Sequence, residues 1–442
     1  MNIYINITMI KISKVIQLLL LTFLVQISVN AQPGPEQRFD STDLQISDRF
    51  GQAIDVDGEF AVIGAPGFNI PQNPGPGTHF RAGAVYVFRY ISGQWVEIQK
   101  LTASTPSQDD FFGLDVAIKN NLIVVGAPGD NETQGGGVGT DSGAAYIFEW
   151  NGTNWQQIEK LLPDASSASI LMGTSVDIDI SIPDEGNLPE QTNIVVGAPL
   201  FDSAHGVVFL YRRTNDVLWE RIGELQDDDT AIDERGQLGT SVSLVGDLIL
   251  AGAPEHKFGK GTAYGFGRGQ IIGSWTQSMQ YEPIDLAGSE KFGFSVTVGK
   301  IGDEYIVTIG APGVSALHVG RVFIYDSNND PHELTELNTH KYGHAVAIYE
   351  NNIAIGAFGD DSLASNAGAV YLQVRDNLGA WQDNGMIVAS DPGVDKQFGF
   401  STALNNGVLV IGSPSFNTIP RAGASYFYTD FIFRNGFEAI NP

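Results

Sequence analysis

Carboxylates are the residues of this chain best placed to do chemistry. Asp109 and Asp110 are adjacent, Asp227, Asp228 and Asp229 form a run, Asp360 and Asp361 form a second pair, and Asp130 and Asp141 bracket a polar stretch. Clustered carboxylates can hold a cation, and a pair can divide acid and base roles. Nothing near Asp109 and Asp110 supplies a partner base, and charge runs on an acidic chain are usually solvated. His79, His205, His256 and His318 fall in comparable loops, but at unequal offsets and without metal-ligand spacing. His340 and His344 are four apart and flank a Tyr-Gly pair rather than sharing a helix face. No hydrolase elbow, phosphate loop or HExxH run is present. The chain has no cysteine, so thiolate chemistry and disulfides are excluded.

The elements that would position these residues are repeated. An aromatic or apolar residue followed by glycine recurs at Phe50-Gly51, Phe112-Gly113, Met172-Gly173, Leu238-Gly239, Phe292-Gly293, Tyr342-Gly343 and Phe398-Gly399. Each pair is followed by Gly-Ala-Pro or a variant, beginning at Gly64, Gly126, Gly197, Gly252, Gly310, Gly356 and Gly412. The opening glycines are 50 to 66 residues apart, which marks an array of one supersecondary unit.

Each unit reads as four strands. In the first copy these are Gln52 to Val56, Phe60 to Ile63, Ala84 to Arg89 and Trp95 to Leu101; in the second, Leu114 to Ile118, Leu122 to Val125, Ala144 to Phe148 and Trp155 to Leu161. In five copies the two glycines are 13 residues apart. Asp57-Gly58, Asn120-Asn121, Gly246-Asp247, Asn351-Asn352 and Asn406-Gly407 between them suit tight hairpin turns. The second strand is continuously apolar in several copies, as a strand covered on both faces should be. Small residues early in the unit and tryptophan late (Trp95, Trp155, Trp219, Trp275, Trp381) suit a wedge. Radially packed four-stranded wedges make a β-propeller, here all-β with seven blades. Arg38-Phe39 stands at the same offset before Phe50 as Lys100-Leu101 before Phe112. The segment at 35–39 is therefore expected to complete the last blade and close the ring, with Phe431 to Phe433 as its competitor.

These motifs resemble FG-GAP repeats, the units of the integrin α-subunit N-terminal propeller and of many secreted bacterial proteins. The resemblance covers residues 36 to 430. It implies a rigid scaffold whose relatives include adhesion and ligand-binding ectodomains, with one branch beside phospholipase activity. Calcium-binding relatives carry a loop similar to D-x-D-x-D-G-x-x-D between the two glycines. The short copies here have only a turn, too small for six to eight oxygen ligands. Asp55-Val56-Asp57-Gly58 is a partial echo, and the insertion from Asp177 to Asn193, with Asp179, Asp184 and Glu185, lacks the spacing. No cofactor is expected, with calcium left open, and no calcium site is carried onto any residue.

Residues 1–31 read as an export signal, with Lys11 and Lys14 before an apolar run and cleavage near Ala31. Its removal takes the formal charge from −27 to −29. Such acidity argues against a nucleic-acid partner. The expected organisation is a signal peptide, a single propeller over 32–430 and a short tail at 431–442, secreted or at the cell surface, monomeric and without a membrane span. In an up-and-down blade the loops from strand two to three share a face with those from strand four into the next blade. These loops are the longer ones, and they hold Asp109, Asp110, Asp130, Asp141, Asp227, Asp228, Asp229, Asp360 and Asp361. The leading expectation is a noncatalytic scaffold binding a protein or glycan through this face. The alternative is a hydrolase or lyase acting on an extracellular polymer or phospholipid.

Overall fold

The second strand of each unit has a mainly apolar centre because it has a neighbouring blade on each side. Phe60–Ala65 and Leu122–Ala127 are buried at every position. The fourth strand alternates, as Trp155–Leu161 does, because one of its edges meets solvent. In the computed structural model these strands assemble into seven four-stranded antiparallel sheets, arranged as the blades of a propeller. It describes residues 36–40, 43–72, 77–164, 168–182, 190–214, 218–227, 235–269, 274–283, 288–314, 320–326, 331–335, 340–415 and 422–429. The proposed signal segment, the tail with Phe431 to Phe433, and Asp184, Glu185, Asp228, Asp229 and His318 lie outside these residues.

Blade 1 comprises Ile54–Asp57, Phe60–Ala65, Ala84–Ile91 and Gln94–Leu101. Blade 2 repeats it with Val116–Lys119, Leu122–Ala127, Ala144–Trp150 and Trp155–Leu161. The inner strands of blades 3 to 7 are Ser175–Ser181, Ser241–Val245, Ser295–Ile301, His340–Tyr349 and Ser401–Asn405. The tight turns fall at Asn120-Asn121, Gly246-Asp247 and Asn406-Gly407, as the sequence suggests. In blade 1 the turn falls one residue later, at Gly58-Glu59, and in blade 6 one residue earlier, at Glu350-Asn351, because Asp57 and Asn352 are taken into the strand ladders.

The core is divided among the spaces between blades. One cluster joins Val62, Val85 and Leu101 of blade 1 to Phe112, Val116 and Tyr146 of blade 2. Another joins Val410 and Phe427 of blade 7 to Phe50, Tyr86 and Trp95 of blade 1. The two repeated glycines build these junctions. A Cβ on Gly64 would stand 2.1 Å from the carbonyl oxygen of Gly113, and one on Gly126 would stand 2.0 Å from that of Gly173. The same approach recurs around the ring to Gly412, whose Cβ would meet the Gly51 carbonyl oxygen at 2.1 Å. The motif is thus a backbone-to-backbone seam: the second glycine of one blade lies on the first glycine of the next.

The ring closes through the N-terminal strand. Glu36–Phe39 pairs antiparallel with Ala424–Tyr428, setting Glu36 opposite Tyr428 and Phe39 opposite Ser425. Gln37 exchanges hydrogen bonds of 2.8 and 2.9 Å with the backbone of Trp95. Gln99, in the fourth strand of blade 1, does the same to Trp155 at 2.8 Å each way. The N-terminal strand therefore holds the next blade as any fourth strand does.

Candidate functional site on the long-loop face

The two kinds of long loop interleave. The segment entering blade 2 donates from Asp109 and Phe111 to the carbonyls of Phe80 and Arg81 in the blade 1 loop, at 2.9 and 3.0 Å. Equivalent bonds join Leu171 to Asp141, Gln237 to Ala204, Lys291 to Gly259 and Gln397 to Asn366. The residue before each repeat opening has a left-handed backbone in all seven copies: Arg49, Phe111, Leu171, Gln237, Lys291, Lys341 and Gln397. None of the seven is Gly, Asn or Asp, so the conformation is held against an intrinsic cost of about 1–2 kcal/mol each. The loops are consequently fixed to one face of a rigid ring.

The acidic residues of this face have several fates. Asp110 is buried and accepts from the Ser107 N–H at 2.5 Å; burial pushes its carboxyl up to about 7. Asp130 is buried, accepting from Tyr146 Oη at 2.6 Å and pairing with Lys160 Nζ at 2.9 Å. Asp360 is its counterpart in blade 6, accepting from Tyr371 Oη at 2.8 Å. Asp109 pairs with Arg81 at 2.6 Å. Asp141 takes a left-handed turn position, where its N–H donates to Asn131. Asp361 is half exposed and accepts from the Asn366 N–H at 2.6 Å. Asp227 is partly buried in the approach to blade 4. Asp110 is close enough to both Asp109 and Asp130 to interact electrically, and Asp360 and Asp361 share the blade 6 loop.

The histidines are likewise dispersed. His205 is half exposed with Nδ1 2.6 Å from the Asp202 carbonyl. His256 is buried against Thr262 and Tyr264. His79 belongs to a short ribbon in the blade 1 loop. Among the described residues no three His, Cys, Asp or Glu side chains form a metal-sized group.

A cavity of about 370 Å³ opens on the same face at the ring axis. Its wall is made of the first residues after each repeat opening, among them Gln52, Thr174, Phe294, His344 and Phe400. His344 is ringed by Phe294, Phe358 and Phe400, with centroids 4.9, 4.6 and 4.4 Å away. Its Nδ1 donates to the Phe400 carbonyl at 2.9 Å. Protein surrounds the imidazole although the cavity admits solvent to it, and this burial pushes its pKa down to about 4, helped by the charge of Lys341. Deeper along the axis three carboxylates satisfy the free edges of neighbouring inner strands. Asp55 accepts from Ile118 N–H, Asp115 from Val176 N–H and Asp177 from Leu244 N–H, at 2.7, 2.8 and 2.6 Å. Burial raises them to about 7, 6 and 8 despite those bonds. Asp115 and His344 line the cavity from blades 2 and 6, and no hydrogen bond joins them.

A second cavity, of about 850 Å³, opens on this face at the closing seam, between Arg38, Asp40, Asp391, Lys396 and Tyr426. Arg38, Lys396 and the Tyr426 hydroxyl hold Asp391 below its ordinary pKa, against burial, which raises it. The sequence reading missed both cavities. Their signals were present: Phe294, His344 and Phe400 occupy the same repeat position, and Phe358 replaces the proline of Gly-Ala-Pro.

The FG-GAP repeat family matches residues 35–88, 95–148 and 338–373. The matched stretches fall on blades 1, 2 and 6. No curated protein matches the sequence. Among solved structures, the chain is similar to the crystal structure of Saccharomyces cerevisiae Sqt1, with a TM-score of 0.49 and 12% identity over 90% of this chain and 99% of that one.

Proposed function

We propose that this chain, which carries FG-GAP repeats and closes them into a seven-bladed β-propeller, is a noncatalytic scaffold that binds an extracellular protein or glycan through its long-loop face. The observation that carries this reading is convergence. Two cavities and the interlocked long loops share one face of a rigid ring. Loops held on a rigid scaffold are where binding residues concentrate. The same loops leave Ile46, Phe80, Phe258, Val314, Leu363 and Val394 half or more exposed, with Phe258 at 95%. The opposite face also exposes apolar side chains, at Ile91, Ile182 and Leu378, but on hairpin tips.

FG-GAP repeats are typical of extracellular proteins. With the signal-like residues 1–31, this supports export. Among the described residues no helix is long and apolar enough to cross a membrane. The carboxylates of the face bond to tyrosine, lysine, arginine and backbone groups, which suits positioning loops better than acid–base turnover. Calcium is read as dispensable: a thermal-shift series with calcium and with chelator should leave the melting midpoint unmoved, and a chelator-induced drop would reverse this.

Protein and glycan arrays run beside generic polymer and phospholipid substrates test the reading. Capture that weakens on replacing Phe80 and Phe258 with serine supports it. Turnover abolished by changing one cavity carboxylate would replace it with the hydrolase alternative.

A further inference from the structure

The axial cavity differs from the rest of the face in chemistry. Three partly buried phenyl rings, of Phe294, Phe358 and Phe400, surround one imidazole, and those of Phe294 and Phe400 line the cavity. The hydrogen bond from Nδ1 to the Phe400 carbonyl fixes the tautomer: a carbonyl only accepts, so the proton is on Nδ1. Nε2 is then a lone acceptor, and it has no hydrogen-bond partner among the described residues. Two further wall oxygens also lack a partner, and these are enclosed. Gln52 Oε1 and Thr402 Oγ1 are shut from solvent and unpartnered. A buried acceptor left without a donor is destabilising, so Gln52 Oε1 and Thr402 Oγ1 are a standing demand for donors, and Nε2 adds an acceptor that solvent in the cavity reaches. Rotation of Gln52 or Thr402 into the cavity would meet it.

Aromatic faces combined with a few convergent polar atoms define a small-molecule pocket, and 370 Å³ falls in the usual range of about 300–1,000 Å³. An aromatic cluster can also attract a cation. Here the Lys341 ammonium acts on the imidazole, its Nζ anchored 2.6 Å from the Gly313 carbonyl, which weighs against a cationic guest. A neutral ligand with an apolar face and a rim of hydroxyl donors fits all of these features. We infer that the axial cavity is a subsite for a single pyranose ring, its C–H face on the phenyl rings and its hydroxyls donating to His344 Nε2 and Gln52 Oε1. The inference rests on the long-loop face being the binding face, since the cavity opens there, and it names what one part of that face takes.

The test uses the intact protein with histidine-selective isotope labelling and a panel of methyl glycosides of glucose, galactose, mannose, fucose and N-acetylglucosamine. At least one glycoside should shift the His344 ring signals saturably and leave those of His332, on the exposed outer strand of blade 5, in place. Gln52→Ala and His344→Leu should each weaken that glycoside about tenfold or more, with an unchanged melting midpoint showing that the ring is intact. His344 signals unmoved by every glycoside would overturn the inference, as would tetramethylammonium shifting them when no sugar does. Array capture that is equally strong in both variants would sink the axial subsite and leave the face as the binding surface. Blank arrays with a saturable glycoside shift at His344 would do the reverse.

Discussion

At the scale of residues, the carboxylates divide into those holding loops and those lining the axis, and each group has its own test. Asp130 is buried against Tyr146 and Lys160, so Asp130→Ala removes the carboxylate that accepts from the Tyr146 hydroxyl and leaves Lys160 with Glu132 as its remaining carboxylate partner. Removing a buried acceptor in this way costs about 1–3 kcal/mol. Asp361 is half exposed and mainly closes a turn, so Asp361→Ala should cost less than about 1 kcal/mol. Chemical denaturation of both variants checks the contrast, and equal losses would refute the loop-holding role of Asp130. The axial carboxylates Asp55, Asp115 and Asp177, with Asp48 and Asp110 at the junctions, have folded pKa values raised by burial to about 7, 6, 8, 6 and 7. Between their unfolded values near pH 4 and these folded values the native state binds more protons, so stability falls as pH rises through that window. His344, held neutral down to about pH 4, acts in the opposite sense between about pH 4 and 6.5, and it is one group against five. The melting midpoint should therefore be lower at pH 8 than at pH 5. Asp177→Asn should flatten that slope by about 2 kcal/mol, and a midpoint that rises from pH 5 to pH 8 would show that the backbone N–H bonds outweigh burial.

At the scale of elements, the repeat is a statement about which backbones touch. Gly126→Ala places a Cβ 2.0 Å from the Gly173 carbonyl oxygen, which can be relieved only by moving one blade away from the next. The expected cost is about 3 kcal/mol or more, as overpacking against an unyielding neighbour. Gly152→Ala is the control: its surroundings are open and only its positive φ is strained, for about 1–2 kcal/mol. Denaturant midpoints of the two variants should separate clearly, and equal midpoints would mean that the glycines serve turn geometry rather than blade approach. The blades were legible in the sequence because period, turn residues and apolar runs all repeat, and agreement between levels is what specifies a fold. The one-residue displacement of the turns at Gly58-Glu59 and Glu350-Asn351 was not, because Asp-Gly and Asn-Asn pairs are turn signals whose register is set by the cross-strand ladder. The burial of Asp130 and Asp360 was legible in principle. Both stand directly after the Gly that follows Gly-Ala-Pro or Gly-Ala-Phe, in the two copies whose third strands carry Tyr146 and Tyr371 as partners. The axial cavity was hidden because its wall takes a few residues from each of seven distant segments, and only ring closure brings them together.

At the scale of the whole molecule, closure decides whether seven blades behave as one. Stacked repeats that contact only their neighbours can fray from an end, whereas a ring has no end. Here the ring is sealed by four residue pairs between Glu36–Phe39 and Ala424–Tyr428. Phe39 is clamped between Phe88 of blade 1 and Phe427 of blade 7, with centroids 4.8 and 5.2 Å away. Removing residues 1–39 leaves Ala424–Tyr428 as an open edge, uncovers Phe427, and frees Trp95 from Gln37. Unpaired edges of that kind template association between chains. The shortened protein should therefore melt earlier and over a broader range than the full chain, and size-exclusion chromatography should show oligomers. A synthetic peptide spanning residues 32–42 should restore the sharp transition when added in excess, because it supplies the missing strand. Phe39→Ala in the full chain isolates the packing part of the seal, with a loss of about 3 kcal/mol and the sharp transition retained. A shortened chain that stays monomeric and melts like the full chain would show that the N-terminal strand decorates the ring without closing it. The rigidity on which the long-loop face depends would then have to come from the glycine seams alone.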